Sequence, residues 1–260
     1  MPAIIMIHGF RGTHHGLELI KAELKKLDFK HVIVPDLPGF GGSKPLEKHD
    51  LDDYVNWLNE FIKEQKLAKP PILLGHSFGS IIVAAYASRY PETIDKLVLV
   101  NPIGDSALRG PRQILTKGAL LYYWLGKHLP AKVARLWLSS KLSVMFMSVT
   151  MAKTRDKSKR RFIHQQHLMY FSKFDNPRML SEAFSTSINY SVRDFAAKIP
   201  VKTLLIAGDK DDITPLYKQK GLLEIFPQAN LVTIDGVGHL THYETPEIVA
   251  KSVYDFIKSV

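Results

Sequence analysis

Short apolar runs alternate along most of this chain with longer segments whose apolar residues recur at helical spacing. "AIIMI" at 3–7, "HVIVPD" at 31–36, "PILLG" at 71–75, "KLVLVN" at 96–101, "KTLLIAG" at 202–208 and "LVTID" at 231–235 each read as buried parallel strands. Between the first two, Leu17, Ile20, Leu24 and Leu27 fall on one helical face. After the second, Asp50 is placed to cap a helix whose stripe is Leu51, Val55, Leu58 and Ile62. The last helix is expected to open with Thr245 as cap and Pro246 in its first turn. Alternation of this kind predicts an α/β protein with a doubly wound, mostly parallel sheet.

The rhythm stops between about 104 and 200. "ILTKGALLYYWLGKHL" and "KVARLWLSSKLSVMFM" are helical, aromatic and basic, and no strand pattern interrupts them. The expected organisation is therefore a core of residues 1–103 and 201–260 carrying a helical insertion, residues 104–200. Charge separates the same parts. The net charge is +10, yet Gly104 to Pro200 holds 17 Lys and Arg against 5 Asp and Glu. Its most basic tract, "KTRDKSKRR" at 153–161, suits a solvated helix face, an anionic membrane surface or an acidic substrate. No nucleic-acid-binding motif accompanies the charge, so nucleic acid is not an expected partner.

The chain has no cysteine, which excludes thiol catalysis, disulfides and cysteine-ligated zinc. No basic segment precedes the first apolar run, so no signal peptide is expected. The uncharged apolar stretch "LSVMFMSVTMA" at 142–152 falls short of the ~18 residues a membrane-spanning helix needs. A cytoplasmic protein is the expectation.

The chemistry centres on "ILLGHSFGSII" at 72–82, where one apolar run ends and another begins. Gly75-His76-Ser77-Phe78-Gly79 fits G-x-S-x-G, a strand turning at once into a helix. Such a corner forces the serine to positive φ and requires small residues two before and two after it. Its hydroxyl is then exposed at a helix start, whose dipole favours developing negative charge. Serine needs a base, because its hydroxyl is a poor nucleophile at neutral pH. His239 follows the last expected strand in a glycine-containing loop, at the same rim of the sheet. "LLIAGDKDDITP" supplies carboxylates from another strand end, with Asp211 preferred over Asp209 and Asp212.

Together these motifs resemble the α/β-hydrolase fold superfamily over nearly the whole chain. Ser77, Asp211 and His239 occur in that family's Ser…Asp…His order. "GDKDDITP" resembles its acid loop, "GHLTHYETP" its histidine loop and "DLPGFGGS" at 36–43 its turn after the second strand. "HGF" at 8–10 resembles the oxyanion loop, which implies that the backbone N–H groups of Phe10 and Phe78 bind the oxyanion. The chain departs from the family in starting almost directly with the HG strand, without the preceding β-hairpin. A six-stranded sheet in the order 2-1-3-4-5-6 is the consequence.

The resemblance implies a serine hydrolase cleaving carboxylic esters of small or medium acyl chains, with no cofactor and no metal. Carbon–carbon bond hydrolysis or lyase chemistry by the same three residues is the alternative. The insertion resembles the cap that covers the site in many members. Tyr123, Trp124, Trp137 and Phe146, with His76 beside the serine, are the expected substrate contacts. The helical spacing of the apolar residues suits a core internal to the cap equally well.

Overall fold

The computed structural model describes residues 1–106 and 113–259. Of the expected insertion, 107–112 thus lie outside the described residues. The chain opens with β1 (Ile4–Ile7), a 3-10 turn (His14–Leu17), α1 (Glu18–Lys26), β2 (Val32–Ile33) and α2 (Leu51–Glu64). It continues with β3 (Ile72–His76), α3 (Phe78–Arg89) and β4 (Leu97–Val100). Six helices follow: α4 (Gln113–His128), α5 (Ala131–Leu138), α6 (Lys141–Met151), α7 (Lys157–Tyr170), α8 (Pro177–Asn189) and α9 (Arg193–Ala196). The core resumes with β5 (Thr203–Gly208), α10 (Leu216–Leu223), β6 (Ala229–Ile234), α11 (Thr241–Glu244) and α12 (Pro246–Lys258).

All strand pairings are parallel and the order is β2-β1-β3-β4-β5-β6. Side chains of a strand alternate between its faces, so the central strands feed two apolar layers. Ile5, Ile7, Leu73 and Leu97 pack with α2 and α3 on one face, while Ile4, Met6, Ile72 and Leu74 pack with α1 and α12 on the other. Such double-sided burial explains why these strands are continuous apolar runs.

The helix signals act as expected at the start of α2, where the Asp50 side chain accepts from the Asp53 amide at 2.9 Å. Three expectations change. β2 shrinks to two residues, because the chain leaves the sheet edge after Ile33. β6 lies on the opposite edge and is mostly half-exposed, with Ile234 its one buried residue. Thr245 makes no side-chain cap; α12 starts on Pro246, and the Thr245 hydroxyl turns back to the carbonyl of Thr241. Between β4 and β5 no strand occurs among the described residues. An isolated antiparallel bridge, Phe40 to Phe174, joins the insertion to the loop after β2.

Candidate active site

Ser77 links β3 to α3 with φ 52° and ψ −117°, a region that a side chain normally avoids. The two flanking glycines make this corner sterically feasible. A Cβ on Gly75 would lie 2.6 Å from the carbonyl oxygen of Gly79, and one on Gly79 would lie 2.3 Å from that of Ile7. The corner is also fastened: the Ser77 amide donates to Val100 O at 3.1 Å, and the Ser80 amide donates to Ser77 O at 2.9 Å.

The loops after β5 and β6 approach the serine from the neighbouring strand ends. His239 Nε2 lies 2.8 Å from Ser77 Oγ, and its Nδ1 lies 2.8 Å from Asp211 Oδ2. Both His239 and Asp211 are buried. Gly208 lets the two loops close on each other, since a Cβ there would lie 2.3 Å from Val237 O. Of the three acid-loop carboxylates, Asp211 alone reaches the imidazole. Asp209 accepts from the Gly236 amide and Asp212 pairs with Lys153.

Asp211 is held from every side. Its Oδ1 accepts from the amides of Ile213 and Thr214, and its Oδ2 accepts from Asn101 Nδ2 and the Thr214 hydroxyl as well as meeting His239. Burial alone would raise this carboxyl, but the charge of His239 and the donated hydrogen bonds outweigh it and hold it well below the usual carboxylate range. Asn101 is itself fully buried at φ 46°, and its Oδ1 accepts from the Thr241 hydroxyl. Neither Asn101 nor Thr241 stands out in the sequence. The available signal was position: "KLVLVN" ends its apolar run with a polar side chain at the strand rim where Ser77 sits.

Phe10 follows β1, and its ring meets that of Phe78 edge-on at 6.4 Å between centroids. His8 braces this loop. Its Nδ1 donates to Gly9 O and its Nε2 accepts from the Leu37 amide, a pattern that requires a neutral ring. Burial lowers its pKa to about 4.

The expected substrate contacts separate. Tyr123 is buried in an aromatic cluster with Phe10 at 5.5 Å and Phe184 at 4.1 Å, beside the nucleophile loop. His76 is a correction, because it lies beneath the site. Its ring is buried, its Nε2 meets His239 O at 3.2 Å, and the His242 ring lies 4.1 Å away. Burial and the neighbouring His239 lower its pKa to about 3, so it supports the histidine loop as a neutral ring. Trp124, Trp137 and Phe146 are corrections too. They are 55%, 43% and 70% exposed, so none of them is enclosed. Helical spacing could not tell the two sides apart. Phe184, which no sequence motif singles out, stacks on Tyr123 and lies 5.6 Å from the Phe10 ring.

Two further residues tie the insertion to the site. Arg11, at φ 59° and buried, donates from Nε to Phe171 O at 2.9 Å and from Nη2 to Leu138 O at 2.6 Å. Glu244, in the histidine loop, accepts from the Lys153 amide at 3.1 Å.

The family model described as "alpha/beta hydrolase fold" matches residues 2–246. The chain is 28% identical over 258 residues to lipase 3 of Moraxella sp. strain TA144, covering 97% of this chain and 76% of that one. It is 25% identical over 271 residues to the human monoacylglycerol lipase ABHD6, covering 100% of this chain and 76% of that one. Among solved structures, a thermophilic esterase from Thermogutta terrifontis superposes with a TM-score of 0.78 at 19% identity, covering 99% of this chain and 90% of that one.

Proposed function

This chain belongs to the α/β hydrolase fold family, and from that premise we propose that it is a serine hydrolase of carboxylic esters working through an acyl-enzyme. The hydrogen-bonded row Ser77–His239–Asp211 carries this reading. Ser77 Oγ attacks the acyl carbonyl while His239 Nε2 takes its proton. Asp211 holds the proton on Nδ1 and stabilises the imidazolium that forms. The amides of Phe10 and Phe78 receive the oxyanion, and each such donor is worth about 3 kcal/mol in the transition state. Collapse of the tetrahedral species expels the alcohol, protonated by His239, and water releases the acid by the same steps.

We assign the insertion the role of cap. Tyr123 and Phe184 bring it against Phe10, and Arg11 and Glu244 fasten it to the core. Lipase and esterase names among the relatives favour ester cleavage over carbon–carbon chemistry. Small and medium acyl chains suit the aromatic wall of Phe10, Tyr123 and Phe184. Initial rates on a series of p-nitrophenyl esters of graded acyl length, with Ser77→Ala alongside, test the proposal. Turnover is expected for the native chain and none for the variant; equal rates for the two would overturn it.

A further inference from the structure

Large exposed apolar side chains gather on the helical insertion. Leu136 is 76% exposed, Leu142 84%, Phe146 70% and Val149 58%. On α6, Leu142, Phe146 and Val149 recur at helical spacing as one stripe, while Val144 and Ser148 face inward. The inward face is accounted for: the Ser148 hydroxyl joins the Nδ1 atoms of His164 and His167 and so fastens α6 to α7. The α7 surface beside it carries Lys157, Arg160 and Arg161, all exposed, with Arg155 just before. Lys153 and Lys159 are different, being engaged by Asp212 and by the carbonyl of Glu244.

We propose that this face of α5, α6 and α7 is a docking surface for an anionic lipid membrane. An apolar stripe of this size in water is costly unless something covers it. Charge selects the cover. Asp156 is the one acid in 153–161, and its carboxylate is spent on the amides of Ser158 and Lys159. A second copy docked here would bring like charges together. A phosphate-lined polymer would satisfy the arginines yet leave Leu136 and Leu142 in water. A lipid surface with acidic headgroups satisfies both, taking the basic side chains at headgroup level and the leucines and Phe146 at the acyl boundary. This inference is independent of the chemistry proposed for Ser77.

The test is sedimentation of the full chain with vesicles of phosphatidylcholine alone, and with vesicles of equal parts phosphatidylcholine and phosphatidylglycerol. Binding is expected only to the anionic vesicles, and it should weaken as salt is raised. Arg160→Glu with Arg161→Glu should abolish it. Leu136→Ser with Leu142→Ser should weaken it about tenfold at unchanged charge and unchanged circular dichroism. Absence of binding to anionic vesicles at low salt would overturn the proposal. So would binding indifferent to the serine substitutions, or a dimer in light scattering that those substitutions dissolve.

Discussion

Nη2 of Arg11 lies 2.6 Å from the carbonyl oxygen of Leu138, so one buried guanidinium joins the loop carrying Phe10 to the helical insertion. The same side chain reaches the Phe171 carbonyl and the Tyr123 hydroxyl. Arg11→Met should leave these acceptors without their donor, at a cost of about 2 kcal/mol or more. Denaturant titration should register that loss, and limited proteolysis should cut faster within 113–189. Arg11→Lys should recover only part of it, since an ammonium cannot match the planar fork.

Asn101 donates to the carboxylate that orients His239. A hydrogen bond to a charged group is worth about 1.5 kcal/mol or more, which is about tenfold in rate. Asn101→Ala should therefore lower kcat on a p-nitrophenyl ester about tenfold, with KM nearly unchanged. A rise in KM at constant kcat would place Asn101 in substrate binding instead.

Stability should fall steeply in mild acid. Burial lowers the pKa of His8 to about 4, and burial with neighbouring histidines lowers those of His76 and His167 to about 3; His242 is also well below 6.5. Below pH 6.5 the unfolded chain binds protons at these rings that the folded chain refuses, so unfolding is favoured as pH drops toward the folded values. Each ring contributes a slope of roughly 1.4 kcal/mol per pH unit in that window. Asp211 is lowered as well, and its contribution to stability is lost only as pH falls below the ordinary carboxylate range. Denaturant midpoints measured from pH 7.5 to 4.5 should show the decline, and His167→Phe should make it shallower.

The elbow stores strain that can be released. Ser77→Gly removes the Cβ from φ 52° and should stabilise the fold by about 1 kcal/mol relative to Ser77→Ala, with both variants inactive. Gly75→Ala should do the reverse, because its Cβ would meet Val83 Cγ2 at 2.5 Å and the Gly79 backbone. Thermal midpoints of the three variants check the order.

The strand order was legible because β1, β3, β4 and β5 are buried on both faces and leave uninterrupted apolar runs. The grouping of Ser77, Asp211 and His239 was legible because each ends or follows such a run, and glycines mark the close approaches. Arg11 was not legible, since an arginine after a glycine-rich turn looks like a solvated charge until its carbonyl partners, 127 and 160 residues away, are in place. Asn101 looked like a strand terminator for the same reason. The insertion was the least legible part. Leu142, Phe146 and Val149 have the spacing of a buried stripe, yet they lie outside, and only the packing of Ser148 against α7 shows which side is which.

Mass spectrometry of the protein after reaction with a fluorophosphonate ester tests the central chemical claim most directly. One adduct per chain, mapped to Ser77 and forming in step with loss of esterase activity, is the predicted result. Labelling of a different serine, or full activity with Ser77 modified, would contradict the assignment.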